Sequence, residues 1–144
     1  MKPVNEQRAL RYSPHVMKQE SLVRANTGVF RQGGLSYVHI PTTNPSASAA
    51  FYSGVFGWRM QGDPDRPSFE DGGGQVIGHL MPGEAVAPDA GIVPYVYVER
   101  LEETVDRVAT YGGAVVKPIY PEGDVRVALF RDPAGNLVGA WQRG

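Results

Sequence analysis

The sequence predicts an α+β fold of two tandem βαβββ modules, which form a curved mixed sheet around a central cavity with the helices outside. Three observations support this prediction. The order strand, helix and three strands occurs twice, and the first strand-to-helix turns of the two copies lie about 56 residues apart. The C-terminal stretch from Phe130 to Trp141 alternates strand, tight turn and strand, as expected of a hairpin that ends such a module.

Module one is predicted over residues 34–82. Its first strand covers Leu35 to Ile40, where β-branched and aromatic residues are frequent. Asn44 followed by Pro45 predicts a helix start, because Asn caps free backbone N–H groups and Pro has a preset helical φ angle. Apolar residues then recur at helical spacing until Gly57.

Three extended segments complete module one, at residues 58–61, 68–70 and 75–81. Gly72, Gly73 and Gly74 lie between the second and the third of these segments. No helix follows the three glycines, so the phosphate-binding alternative is disfavoured and they indicate a hairpin turn.

Module two is predicted over residues 91–142, after a linker at 82–91 that has little periodicity. A strand at 92–98 precedes a helix whose apolar face contains Leu101, Val105 and Val108 and which stops at Gly112. Three further strands are expected at residues 114–119, 125–130 and 137–141.

The turn between the last two strands has a specific predicted chemistry. Pro133 presets φ, the Asp132 carboxylate can accept backbone N–H bonds across the turn, and Gly135 or Asn136 tolerates a positive φ. On turn chemistry alone, the stretch indicates a stable hairpin and nothing more.

The composition is that of a globular domain. A chain of 144 residues with 42% hydrophobic and 20% charged residues can bury one core. The absence of Cys excludes disulfides, thiolate metal sites and a thiol nucleophile. No apolar run is long enough to span a membrane, and no signal peptide is evident, so we expect a cytoplasmic protein.

The first 32 residues differ from the rest in charge. They contain six basic and two acidic side chains, a net charge of +4, whereas the remainder contains eight basic and thirteen acidic ones, a net charge of −5. The basic residues are dispersed, so nucleic-acid binding is not favoured. We expect this N-terminal basic arm, residues 1–32, to be disordered or to dock on the acidic body of its own or a partner subunit through Leu22, Val23, Val29 and Phe30.

Several stretches, in order and at their spacing, resemble the vicinal oxygen chelate superfamily, which includes glyoxalase I, bleomycin-resistance proteins and extradiol dioxygenases. They are HIP at residues 39–41, FYSGVFGW at 51–58, YGGAV at 111–115 and FRDPAGNLVGAW at 130–141. The similarity covers about residues 34–142 and is greatest to glyoxalase/bleomycin-resistance-like proteins. The chain is therefore predicted to be a vicinal oxygen chelate domain over residues 33–144.

The resemblance also implies where a metal ion would be held in metal-using members. The ligand positions fall on His79, on Tyr37 to His39, on Val93 or Tyr95, and on Gly139, where the related ending LIELW has Glu. Val93 and Tyr95 are poor ligands and Gly139 has no side chain. We therefore predict that the metal site is incomplete, and no cofactor is assigned.

His39 and His79 are the only histidines outside the arm, and the resemblance directs both towards the cavity. Three interpretations stay open at this point. The two histidines can be polar groups that are hydrogen-bonded to tyrosines or water. They can be an acid/base pair, since an imidazole titrates near neutral pH. They can also be ligands of a divalent metal ion, together with Glu70.

Six further side chains are candidates for binding a small molecule. Alternation places Tyr37 on the face of His39, and Tyr95 on the face of Tyr97. Packing within the core is an equally good interpretation of such strand aromatics, and Arg126 can either reach an anionic group or be a solvated strand residue. The candidates are Tyr37, Tyr95, Tyr97, Met81, Arg126 and Trp141.

Two functions follow from these candidates. The first is a small-molecule enzyme that performs proton-transfer chemistry of the lyase or isomerase type without a complete metal site, with His39 and His79 as the acid/base pair. The alternative is a binding protein that sequesters a hydrophobic drug or metabolite on its aromatic side chains. The resemblance implies a homodimer in either case.

Overall fold

The computed structural model describes residues 27–87 and 91–144. A short 3-10 turn at Thr27–Val29 precedes the first module. Module one consists of β1 (Tyr37–Thr42), α1 (Pro45–Phe56), β2 (Arg59–Gln61), β3 (Ser68–Glu70) and β4 (Ile77–Pro82). Module two consists of β5 (Tyr95–Tyr97), α2 (Leu101–Thr110), β6 (Ala114–Glu122), β7 (Val125–Arg131) and β8 (Leu137–Arg143).

Each module forms one four-stranded mixed sheet. The strand order is β1-β4-β3-β2 in the first sheet and β5-β8-β7-β6 in the second. In both sheets the first and last strands of the module pair in parallel and the remaining pairs are antiparallel. The α+β fold of tandem βαβββ modules is confirmed, and its sheet consists of two unclosed halves.

The predicted helix signals of α1 act as expected. The Asn44 side chain accepts a hydrogen bond from the Ala47 N–H at 3.1 Å, and Pro45 is the first helical residue. Gly57 ends the helix at a φ of 72°, where a side chain would be strained. In α2 the cap position is Arg100, which makes no side-chain capping bond.

Of the strand boundaries that differ from the sequence prediction, those of β1 and β5 have a physical reason. β1 continues through Pro41 to Thr42, which is allowed because β1 is an edge strand and does not need every backbone N–H. β5 is limited to Tyr95–Tyr97, whereas a strand was expected over 92–98. Ile92 is 99% exposed, so the start of that apolar run contributes nothing to the core.

One hydrophobic core serves both modules. Phe51, Tyr52 and Val55 of α1 pack with Leu101 and Val108 of α2. Phe69 and Leu80 join them from the first sheet, and Ala128, Phe130, Val138 and Ala140 join them from the second. The helices therefore lie on one face of each sheet, and functional side chains must be sought on the opposite faces.

The turn of the β7–β8 hairpin connects the modules. The Asp132 carboxylate accepts backbone N–H bonds from Ala134 (3.0 Å) and Asn136 (2.8 Å), as predicted, and Gly135 has a φ of 98°. The same carboxylate accepts the Tyr52 hydroxyl of α1 at 2.7 Å. The Asn136 side chain donates to the Pro41 carbonyl of β1 at 2.8 Å. We call Tyr52, Asp132 and Asn136 the inter-module clasp.

Most of the predicted N-terminal arm, residues 1–26, lies outside the described part of the chain, and Leu22 and Val23 with it. Of the arm's apolar residues that are described, Val29 is buried against Ile77 of β4, whereas Phe30 is 64% exposed. Among the residues described, no helix is both long and apolar enough to cross a membrane.

Candidate functional site

The pairing of β1 with β4 places the two histidines opposite each other. In this parallel pair His39 is the register partner of His79, and Ser68 of β3 is the antiparallel partner of His79 on its other side. Register partners point to the same face of a sheet. Val38 and Ile40, which alternate with His39, pack on the core. The histidines therefore lie on the face opposite the helices.

Five side chains on this face form a continuous hydrogen-bonded chain. The Tyr37 hydroxyl lies 2.7 Å from Nδ1 of His79 and 3.3 Å from Nε2 of His39. Nε2 of His79 lies 2.8 Å from the Ser68 hydroxyl, and Nδ1 of His39 lies 3.3 Å from a carboxylate oxygen of Glu84. We call these five residues the His–Tyr relay.

Burial divides the relay into two ends. His79 and Ser68 are each 1% exposed, whereas Tyr37 is 38% exposed. The side chains of His39 and Glu84 are also partly exposed. A small molecule that approaches this face can therefore touch Tyr37 or His39 directly, whereas His79 is buried and contacts the Tyr37 hydroxyl.

A second group of candidates lies on the second sheet. The rings of Tyr97 and Trp141 meet edge to face, with centroids 4.9 Å apart, and the ring of Tyr95 covers Gly139. Tyr95 and Tyr97 are 45% and 48% exposed, so they are not core residues. The pKa of nearby Tyr120 is raised, mainly because its phenol is desolvated and further because Tyr95 and Glu122 lie close to it. We call Tyr95, Tyr97 and Trp141 the aromatic face.

Two candidate binding residues remain. Arg126 lies apart from both the relay and the aromatic face, and Met81 lies beside the relay. Arg126 pairs with Gln142, on the side of the second sheet that α2 covers. There it forms an ion pair with Glu102 of α2, and its hydrogen bond lowers the pKa of the Glu102 carboxyl. Met81 follows His79 by two residues in β4 and shares its face, partly exposed.

The residues present do not match the metal set that the resemblance implies. Within residues 27–87 and 91–144, no three His, Cys, Asp or Glu side chains are grouped so as to hold an ion. Glu70, the third ligand considered from the sequence, is buried and paired with Arg59. A side chain at position 139 would collide with the Tyr95 ring. We therefore derive no chemical step through a metal ion.

A cavity of about 400 Å³ lies where the end of α1 meets the start of α2. Its lining includes Phe56, Gly57, Tyr97, Arg100, Glu103 and Arg107. Tyr97 is the one residue that it shares with the aromatic face. None of the five relay residues lines it, and the relay lies on the face of its sheet opposite the helices.

Sequence reasoning missed Ser68 and Glu84 in the site and Tyr52 in the clasp. Ser68 could have been found from the pairing of β3 with β4, because it is the partner of His79 in that register. Glu84 lies in the segment interpreted as a linker, and nothing in its local sequence indicates contact with His39. Tyr52 was recognised only as one of the apolar positions of α1.

Comparison with known proteins is consistent with this architecture. The sequence profile of the Glyoxalase/Bleomycin resistance protein/Dioxygenase superfamily matches residues 34–139. The chain belongs to this superfamily. A relative from Mycobacterium bovis, named "Putative glyoxylase CFP32", is 36% identical over an alignment of 126 residues that covers 78% of this chain and 47% of that protein. The "Anthracycline biosynthesis protein DnrV" of Streptomyces peucetius is 26% identical over an alignment of 134 residues that covers 80% of this chain and 49% of that protein.

Solved structures of other superfamily members share the fold. A family enzyme from Burkholderia phytofirmans superposes with a TM-score of 0.66 at 19% identity, covering 78% of this chain and all of that one. The fosfomycin resistance protein FosX of Mesorhizobium loti gives a TM-score of 0.65 at 18% identity, covering 78% and 93%. The chain described here spans about half the length of the curated relatives that it matches.

Proposed function

We propose that this superfamily member is a cytoplasmic small-molecule enzyme that transfers protons, by lyase or isomerase chemistry, in a site without a complete metal centre. The observation that carries the proposal is the Tyr37 hydroxyl, which lies within hydrogen-bond distance of both His39 and His79. An imidazole has an unperturbed pKa of about 6.5 and so both accepts and donates protons near neutral pH. Positioned acid/base groups of this kind accelerate reactions by about 10²–10⁴-fold.

We also propose that the working unit is a homodimer. The relay lies on the first sheet and the aromatic face on the second. A second copy can bring the aromatic face of one subunit to the relay of the other. Two such chains have about the length of one curated relative.

The proton-transfer function predicts hydrogen exchange at carbon acids. Protein incubated in D₂O with hydroxyacetone or methylglyoxal should catalyse exchange of the hydrogens next to the carbonyl group, as measured by ¹H NMR. His39→Gln and His79→Gln should each lower this exchange rate by about 100-fold or more. His15→Gln is the matched control, because it removes the third histidine of the chain and should retain the rate.

The same samples test the absence of a metal requirement. Elemental analysis of protein purified without added metal should show far less than stoichiometric metal, and EDTA should leave the exchange rate unchanged. Stoichiometric zinc, nickel, iron or manganese, with activity lost in EDTA and restored by that ion, would contradict the proposal. Wild-type rates in both histidine variants would remove the histidines from the mechanism.

A binding protein without turnover is the second candidate, and the exposed aromatic face favours it. Edge-to-face and stacked aromatic pairs contribute about 0.5–1.5 kcal/mol beyond the area that they bury. The name of the Streptomyces relative refers to anthracyclines, which are planar, so doxorubicin is a suitable probe.

The binding candidate predicts saturable quenching of tryptophan fluorescence by doxorubicin. Trp141→Ala should weaken its affinity by about 10-fold or more, because the ring and its packing are both lost. Isothermal titration calorimetry measures the affinity of the natural protein and of each variant for doxorubicin. Tyr111→Leu changes a half-exposed aromatic outside the aromatic face and should leave the affinity unchanged. Equal affinity in Trp141→Ala would reject the aromatic face as the binding surface.

A further inference from the structure

The His–Tyr relay has a direction, which follows from the number of protons that its members carry. A tyrosine hydroxyl has one proton to donate, and a neutral imidazole has one N–H and one accepting nitrogen. Tyr37 faces a ring nitrogen of each histidine, so it can donate to only one of them. Whichever histidine receives that proton must present an unprotonated nitrogen there.

The distances select the receiver. The contact from Tyr37 to Nδ1 of His79 is 2.7 Å, typical of an O–H donor, whereas N–H donors prefer about 2.9–3.0 Å. The contact with His39 is 3.3 Å, longer and weaker. We therefore infer that Tyr37 donates to His79. A neutral His79 then has its proton on Nε2, from which it donates to the Ser68 hydroxyl.

Exposure decides which member of the pair meets a ligand. His79 is 1% exposed and both of its ring nitrogens are engaged, by Tyr37 and by Ser68. Tyr37 is 38% exposed on the same face. The Tyr37 hydroxyl is therefore a route by which a proton can pass between His79 and a bound molecule, because it contacts the buried nitrogen and belongs to a partly exposed residue.

We propose that Tyr37 is the catalytic residue that exchanges a proton with the bound molecule, and that buried His79 is its proton partner, positioned by Ser68. This inference rests on the proposed proton-transfer function and reverses the roles that the sequence suggested for Tyr37 and His79. His39 and Glu84 form the exposed side of the site. There Nε2 of His39 contacts the Tyr37 oxygen and Nδ1 contacts the Glu84 carboxylate.

The step balances without a further reactant. As a C–H bond next to the substrate carbonyl breaks, its proton goes to the Tyr37 oxygen and its electron pair stays on the substrate as an enolate. The original Tyr37 proton moves to Nδ1 of His79, which becomes an imidazolium with its second proton still on Nε2. When the proton on Tyr37 is first replaced by one from solvent, its return to the same carbon gives hydrogen exchange. Where the neighbouring carbon is a carbonyl and the reacting carbon carries a hydroxyl, return of the proton to the carbonyl carbon, with the hydroxyl proton passing to the former carbonyl oxygen, gives isomerisation.

Imidazole NMR tests the pair independently of turnover. In protein labelled with ¹⁵N-histidine, long-range ¹H–¹⁵N spectra distinguish the two tautomers, and the three histidines can be assigned by substituting each in turn. We expect His79 in the Nε2–H tautomer, with a marked shift of its Nδ1 signal in Tyr37→Phe. Ser68→Ala should convert His79 into a mixture of tautomers. Tyr111→Phe, a matched loss of one tyrosine hydroxyl at the end of α2, should leave the His79 signals unchanged.

Turnover then tests the catalytic role. Tyr37→Phe should lower the rate of hydroxyacetone exchange by about 100-fold or more, although both histidines remain. An unshifted His79 signal in Tyr37→Phe, or an Nδ1–H tautomer in the natural protein, would overturn the pair. A shifted signal with full exchange would overturn Tyr37 as the catalytic group. If the natural protein exchanges neither probe, the proposed function fails and the catalytic role with it, and the spectra still report separately on the pair.

Discussion

Asp132→Ala should lower the free energy of unfolding by about 3–5 kcal/mol, because it leaves several buried donors without an acceptor. Asp132 is 3% exposed. Its carboxylate accepts hydrogen bonds from the Tyr52 hydroxyl, the Asn136 side chain and two backbone N–H groups. For a chain of this length the loss corresponds to a fall in Tm of about 10 °C or more. Urea denaturation followed by circular dichroism measures it.

The effect is specific to the clasp, since the same turn chemistry occurs elsewhere without burial. Asp63 accepts the backbone N–H of Asp65 at 2.9 Å in an exposed loop. Asp63→Ala is therefore the matched control and should cost less than about 1 kcal/mol. Burial raises the pKa of Tyr52 well above its usual value, with the Asp132 charge adding to the shift, so the phenol stays neutral and donates at all ordinary pH values. Equal costs for the two variants would show that the clasp contributes nothing beyond its turn.

Gly78→Ala should destabilise the protein by about 3 kcal/mol or more and disturb the relay as well. A methyl group at position 78 would collide with the Val38 carbonyl oxygen, and it would lie 2.6 Å from the Phe69 ring. The carbonyl belongs to the backbone of β1 and cannot rotate away as a side chain could. Relief therefore requires β1 to move from β4, which separates Tyr37 from His79.

Both consequences are measurable in one set of samples. Urea denaturation gives the loss in stability, and the His79 Nδ1 signal should shift as it does in Tyr37→Phe. Gly73→Ala is the matched control. Its added methyl group would meet nothing closer than a carboxylate oxygen of Asp71 at 3.9 Å, so it should be nearly neutral. A stable Gly78→Ala protein with an unshifted His79 signal would contradict the close packing of β1 against β4.

The local elements were predictable because their signals lie within a few residues of each other. The Asn44 cap, the Gly57 stop and the Asp132 turn all behave as the sequence indicates. The resemblance to the superfamily directed both His39 and His79 towards the cavity, and the two residues are register partners on one face of the sheet. The family could be predicted too, since its motifs are short and lie at characteristic spacings.

The assignment of roles within the site was not predictable in the same way. Period-two alternation separates the two faces of a strand, but it does not say which face the helices cover. Arg126 illustrates this, since only its register with Gln142 and its contact with Glu102 place it on the helix side. Glu84 illustrates a second difficulty, because a loop residue can reach a strand in a way that no local pattern encodes.

The sequence by itself determined the two-module α+β fold, the helix ends and the closing turn. Only the tertiary structure decided that Tyr37 stands between the two histidines, that His79 is buried, and that the aromatic face lies on the other sheet. Tyr37 is 42 residues and Ser68 is 11 residues from His79, on the strands that flank β4. Caps and turns depend on neighbouring residues, whereas burial and side-chain partners depend on which distant strands become adjacent.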